Sequence, residues 1–147
     1  MTEHPVISAL REQVDCYQRL AKLASLQHVH VQQSQTEQLL EVLATRSEVL
    51  DQLKLHERAV APQRKRWAQF LCELPGTARD AAESLLAETR RLLEEITTAD
   101  RNDALVLQQQ KLNLGRQINQ ASAARQVNRN YAASAYGARP TRLDVQR

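Results

Sequence analysis

Aromatic residues are scarce in this chain. Tyr17, Trp67, Phe70, Tyr131 and Tyr136 are the only five in 147 residues, beside three glycines and four prolines. A β-rich domain needs many turn residues and many β-branched or aromatic side chains, so sheets are close to excluded. No apolar run approaches the length of a membrane span, and Met1 to Ile7 lacks the apolar core of a secretory leader. Only two cysteines are present, Cys16 and Cys72, with no Cys-x-x-Cys spacing. That is too little for a disulfide framework or a zinc site. Both read as small buried or half-buried apolar groups in a reducing compartment, and with neither a leader-like nor a span-like segment the cytoplasm is the expected location.

What the chain does have is Leu, Ala, Gln, Glu and Arg, all strong helix formers. Its net charge of +3 is unevenly spread. Residues 116–147 carry Arg116, Arg125, Arg129, Arg139, Arg142 and Arg147 against the single acid Asp144, whereas the first 115 residues hold 14 cations and 16 acids. The basic character therefore belongs to the C-terminal part. Six dispersed arginines fall short of the dense run expected of a nucleic-acid or anionic-lipid site.

The apolar periodicity predicts four helices, at about 5–32, 35–60, 63–74 and 78–133. In the first, Ile7, Leu10, Val14, Tyr17, Ala21, Ala24, His28 and Val31 alternate by threes and fours, widened by Leu20 and Leu23 into a core-facing stripe. Polar residues follow, and Ser34-Gln35-Thr36-Glu37 has the form of a capping box. A hairpin is therefore favoured over one continuous rod. The second helix has the seam Thr36, Leu39, Leu43, Arg46, Leu50, Leu53, Glu57, Val60, flanked by Leu40 and Val49, and Ala61-Pro62 should close it. Trp67, Phe70, Leu71 and Leu74 would shut one end of a bundle. After the Pro75-Gly76 turn, Thr77 and Asp80 suggest a cap with an acid in the first turn.

The last helix keeps the heptad step through Ala82, Leu85, Thr89, Leu92, Ile96, Ala99 and Asp103, then jumps by four to Leu107, a stutter. Running from Ala78 to about Ala133 it would span roughly 80 Å, against roughly 40 Å for either partner helix. The expected architecture is all-α, an elongated antiparallel helical bundle or coiled coil with a long C-terminal helix and a flexible tail. Residues 1–115 form the bundle core, and residues 116–147 the helical extension and basic tail.

Catalytic constellations are not apparent. His28 and His30 point to different helix faces, His56-Glu57 lacks the second histidine of a zincin, and no glycine-rich loop could hold phosphate. Arg46 and Glu57, on the seam, are expected at bundle ends or in pairs across helices that set register. Arg64-Lys65-Arg66 is expected to be a solvated face. Cys16 has only Arg19 near it to favour a thiolate. The sequence thus points to no enzyme, no cofactor, no metal and no small-molecule substrate.

An overhanging helix with a thin apolar stripe can bundle with a helix from another protein. Leu107, Leu114, Ile118, Val127 and Tyr131 are the side chains expected to dominate such partner binding. Two other uses of the region stay open: a structural coiled-coil homodimer or tether, and a basic-tail binder of nucleic acid or membrane.

Three stretches carry a resemblance to a known family. They are QLLEVLATRSEVLDQL (Gln38–Leu53), PQRKRW (Pro62–Trp67) and NYAASAYG (Asn130–Gly137), within the order of heptad helix, polar turn, Leu-rich helix, Pro-x-Arg-x-x-Trp element and long last helix. Together they resemble the FlgN family of flagellar type III export chaperones. The resemblance implies an all-α cytoplasmic chaperone that holds hook-filament junction (hook-associated) proteins before secretion and delivers them to the export gate. It also implies that the cargo-binding portion is C-terminal, here about Leu107 to Tyr136.

Overall fold

The computed structural model describes residues 3–137 and contains four helices: α1 (Pro5–Gln32), α2 (Thr36–Arg64), α3 (Trp67–Glu73) and α4 (Gly76–Gly137). Among the described residues there is no strand. By contact density they form two units, one ending at Val106 and the other beginning at Leu107. The expected tail beyond Gly137, including Pro140, lies outside the described residues.

In the first unit α1 and α2 form an antiparallel hairpin, and α4 returns alongside them. Side-chain pairs fix these directions: Gln13 with Glu57 and Gln27 with Arg46 between α1 and α2, then Gln27 with Asp103 and Arg46 with Asp100 toward α4. Pro5 opens α1, and the His4 ring accepts the Val6 N–H at 3.1 Å. The hairpin turn is not the capping box that Ser34 and Glu37 suggested. Gln35 is the N-cap of α2, without a side-chain capping bond. Instead α1 ends in a Schellman motif: the Ser34 N–H reaches the Val31 carbonyl at 3.2 Å and the Gln35 N–H reaches the His30 carbonyl at 2.9 Å. Ser34 takes the left-handed position at φ 55°, where glycine is usual, at a cost of about 1 kcal/mol.

Three further boundaries differ from expectation. Helix α2 runs through Pro62 to Arg64, so the proline lies inside its last turn and does not close it. Neither Thr77 nor Asp80 serves at the start of α4: the Pro75 carbonyl takes the first helical bond, from the Arg79 N–H at 2.8 Å, so Asp80 falls outside the first turn. The C-terminal end of α4 extends to Gly137, beyond the expected Ala133.

The core has two clusters. Val6, Ile7, Leu10, Val60, Phe70, Leu74 and Ala82 fill the end closed by α3, with Trp67 and Leu71 packed against them as their sequence position suggested. The Trp67 and Phe70 rings lie 5.5 Å apart, and Arg79 donates to the Leu71 and Leu74 carbonyls at the end of α3. Cys16, Leu20, Val49, Leu53 and Ile96 form the second cluster. Cys16 is buried, but Cys72 is exposed on the outer side of α3, contrary to expectation.

On α2 the buried seam is turned relative to the expected one. Val42 and Val49 go inside, while Leu43 and Leu50 stay 44% and 45% exposed. On α4 burial passes from Asp103 to half-buried Val106, and Leu107 is exposed, so the four-residue jump to Leu107 is not how the helix packs.

Candidate partner-binding site

Beyond Val106, α4 continues as a regular helix whose large apolar side chains are uncovered. Leu107, Leu114, Ile118, Val127 and Tyr131 are all exposed, Tyr131 to 78%. At 3.6 residues per turn, Leu107, Leu114 and Ile118 fall within about 40° of one another. Val127 stands about half a turn away from Ile118, and Tyr131 lies on that same far side. The five side chains expected to act together therefore occupy two faces. Leu112, which the sequence reading passed over, is half exposed on the Val127 side.

The segment's charges are equally one-sided. Between Asp103 and Asp144 there is no acidic residue, while Lys111, Arg116, Arg125 and Arg129 are all on the described helix and exposed. Gly115 has open space where a Cβ would stand. Nothing in its surroundings requires glycine.

The first unit pairs several of its polar groups across helices. Asp103, 1% exposed, receives the Gln27 amide at 3.0 Å and lies 2.7 Å from His28 Nδ1. The Arg46 guanidinium donates to both oxygens of Asp100 at 2.8 Å and to Gln27 Oε1 at 2.6 Å. This fork raises the arginine's pKa further, chiefly through its hydrogen bond to Asp100. Arg46 thus pairs across helices, as its seam position suggested.

A second layer joins Gln13, Glu57 and Arg64. The Gln13 amide donates to Glu57 at 2.7 Å, and Arg64 forks onto both carboxylate oxygens at 2.6 and 2.8 Å. These bonds, that from Arg64 foremost, hold the Glu57 carboxyl below the usual carboxylate range. Burial, aided by the Glu57 charge, pushes the nearby Tyr17 hydroxyl up. Gln13 Oε1 is buried without a hydrogen-bond partner. The run Arg64-Lys65-Arg66 is divided: Arg64 serves Glu57, and Arg66 pairs with Glu73 and Gln63. Cys16 Sγ lies 3.8 Å from Arg19, whose guanidinium also donates to Gln52.

The carboxylates and arginines with shifted proton affinity sit in ion pairs with one another, of which Arg46 with Asp100 joins two helices and Arg64 with Glu57 lies within α2. Among the described residues no cluster of three His, Cys, Asp or Glu side chains could hold a metal ion. None of the described helices is long and apolar enough to cross a membrane.

The fold and site define an all-α helical bundle protein with a long last helix. The chain matches no family model, no curated protein and no solved structure.

Proposed function

We propose that this protein is a non-catalytic binding protein of the bacterial cytoplasm, an export chaperone of the FlgN type. It would hold hook-associated flagellar proteins through the C-terminal part of α4 and hand them to the export gate. The observation that carries this reading is the uncovered helix after Val106, with Leu107, Leu114, Ile118, Val127 and Tyr131 exposed. A helix that leaves such side chains in water gains stability by laying them against another protein. The partner then comes off when that contact is replaced, which suits a carrier. The resemblance in the Gln38–Leu53, Pro62–Trp67 and Asn130–Gly137 stretches supplies the class of cargo.

Co-expression with hook-filament junction proteins of the same bacterium tests the reading. A 1:1 complex should elute on size exclusion and be lost in the full-length L107D/L114D/I118D variant. A complex that survives these three changes would place the contact elsewhere, and failure of every junction protein to bind would remove the cargo assignment.

A structural homodimer or tether is the second reading, favoured by a different surface. Leu40, Leu43 and Leu50 are 61%, 44% and 45% exposed at heptad spacing along α2. Sedimentation of the wild-type chain beside L40Q/L43Q/L50Q separates the two. A dimer abolished by these changes supports the tether, and a monomer in both excludes it.

A further inference from the structure

The cations of the C-terminal helix are not scattered around it. Taking Leu107 as the origin and about 100° per residue, Lys111, Leu114, Ile118, Arg125 and Arg129 all lie between about −20° and +40°. Three of the segment's four described cations thus share one narrow strip with Leu107, Leu114 and Ile118, and Arg116 stands opposite. Along this strip, roughly 33 Å from Leu107 to Arg129, the near half is apolar apart from Lys111 and the far half is basic. None of the three cations has an ion-pair partner among the described residues, and the sequence supplies no acid nearby.

We propose that this strip docks an acidic amphipathic helix of another protein, apolar where it meets Leu107, Leu114 and Ile118 and carboxylate-bearing where it meets Arg125 and Arg129. The inference rests on the partner-binding reading above and specifies the chemistry of the partner. Charge complementarity selects this occupant over three others. A second copy is disfavoured in either direction: parallel pairing stacks cation on cation, and antiparallel pairing sets Arg125 and Arg129 against the apolar half. A membrane-surface helix keeps its cations on the face away from the acyl chains, whereas here they share the apolar face. A nucleic acid answers the arginines but offers the leucines nothing.

Two synthetic 24-residue helical peptides with the same leucine seam test this against the full-length chain by calorimetry. One carries glutamates where the basic half would lie, the other lysines at the same places. The glutamate peptide should bind at least tenfold more tightly, and the K111E/R125E/R129E chain should reverse the preference. Circular dichroism should report unchanged helicity, since all three positions are exposed. Equal affinity for both peptides overturns the proposal, as does no binding of either. So does tighter binding of vesicles of phosphatidylglycerol and phosphatidylcholine or of a 24-nucleotide single strand, or a dimer that K111E/R125E/R129E changes.

Failure here is separable from failure of the cargo reading. If a junction protein binds and L107D/L114D/I118D releases it while the charge reversal does not weaken it, the acidic-helix inference falls and the chaperone reading stands. If the peptides behave as expected but no junction protein binds, the cargo reading falls and the strip keeps its chemistry.

Discussion

The residues up to Val106 and those from Leu107 to Gly137 both form regular helix, yet they use their side chains differently. In the first region Ile7, Leu10, Leu20, Val31, Val49, Val60, Leu92 and Ile96 go inside, and several charged groups are matched: Arg46 with Asp100, Arg64 with Glu57, Asp103 with Gln27 and His28. In the second, Leu107, Leu112, Leu114, Ile118, Val127 and Tyr131 are all exposed, and the sequence between Asp103 and Asp144 supplies the cations no acid. The difference shows that helicity and burial are separate achievements. Alanine, glutamine and arginine maintain a helix by local propensity, whereas a core needs a second surface.

Paired truncations sharpen the contrast most. Leu10→Ala, which empties a site 1% exposed, should lower stability by about 3 kcal/mol in denaturant unfolding. Leu114→Ala should change it by less than about 0.5 kcal/mol. A comparable loss from Leu114→Ala would show that the second region is packed in solution. Next comes the buried carboxylate: Asp103→Ala withdraws the acceptor from buried Gln27 and should cost about 2 kcal/mol by thermal or chemical melting. Unchanged stability would mean that the polar layer contributes nothing net.

Smaller effects probe the exposed helix and the second polar layer. Gly115→Ala meets open space and should stabilise α4 by roughly 0.5–1 kcal/mol, read as a gain in helicity and melting temperature. Loss of helicity would instead reveal that the glycine serves a close approach. The smallest effect is that of acid. Because Arg64 and Gln13 lower the folded-state pKa of Glu57, its contribution is complete above the ordinary glutamate value of about 4.3. It is lost as pH falls through the folded value below that. The carboxylate is 41% exposed, so solvent screening leaves well under about 1 kcal/mol. Glu57→Gln should flatten this part of the pH–stability curve, and an unaltered slope would remove the pair from the account.

Much of the architecture was legible in spacing alone. The α1 stripe from Ile7 to Val31 lies on the inner side as read, and the aromatic cluster at Trp67 and Phe70 closes one end of the core. The α2 seam was only half legible. Leu39, Arg46, Leu53 and Val60 belong both to the expected seam and to the observed one. The expected seam took Leu43 and Leu50, whereas the smaller Val42 and Val49 are the pair that went in. Ser34 misled because serine is the usual first residue of a capping box, while here backbone bonds alone stop the preceding helix.

The C-terminal stripe was over-read for a geometric reason. Nine residues separate Ile118 from Val127, and at about 100° per residue that is two and a half turns, which carries Val127 to the far side. Lys111, Arg125 and Arg129 were visible as charges, but their alignment with Leu107 emerges only when the turns are counted continuously.

The interlocked layer of Gln27, Arg46, Asp100 and Asp103 also constrains how this chain can change length. A seven-residue insertion ahead of the layer in α1 alone would keep the greasy positions facing inward, yet carry Gln27 two turns off and strand an anion among hydrocarbon. Lineages should therefore gain or lose heptads in all three rods together, and vary freely in length only past the point where such crosslinks end.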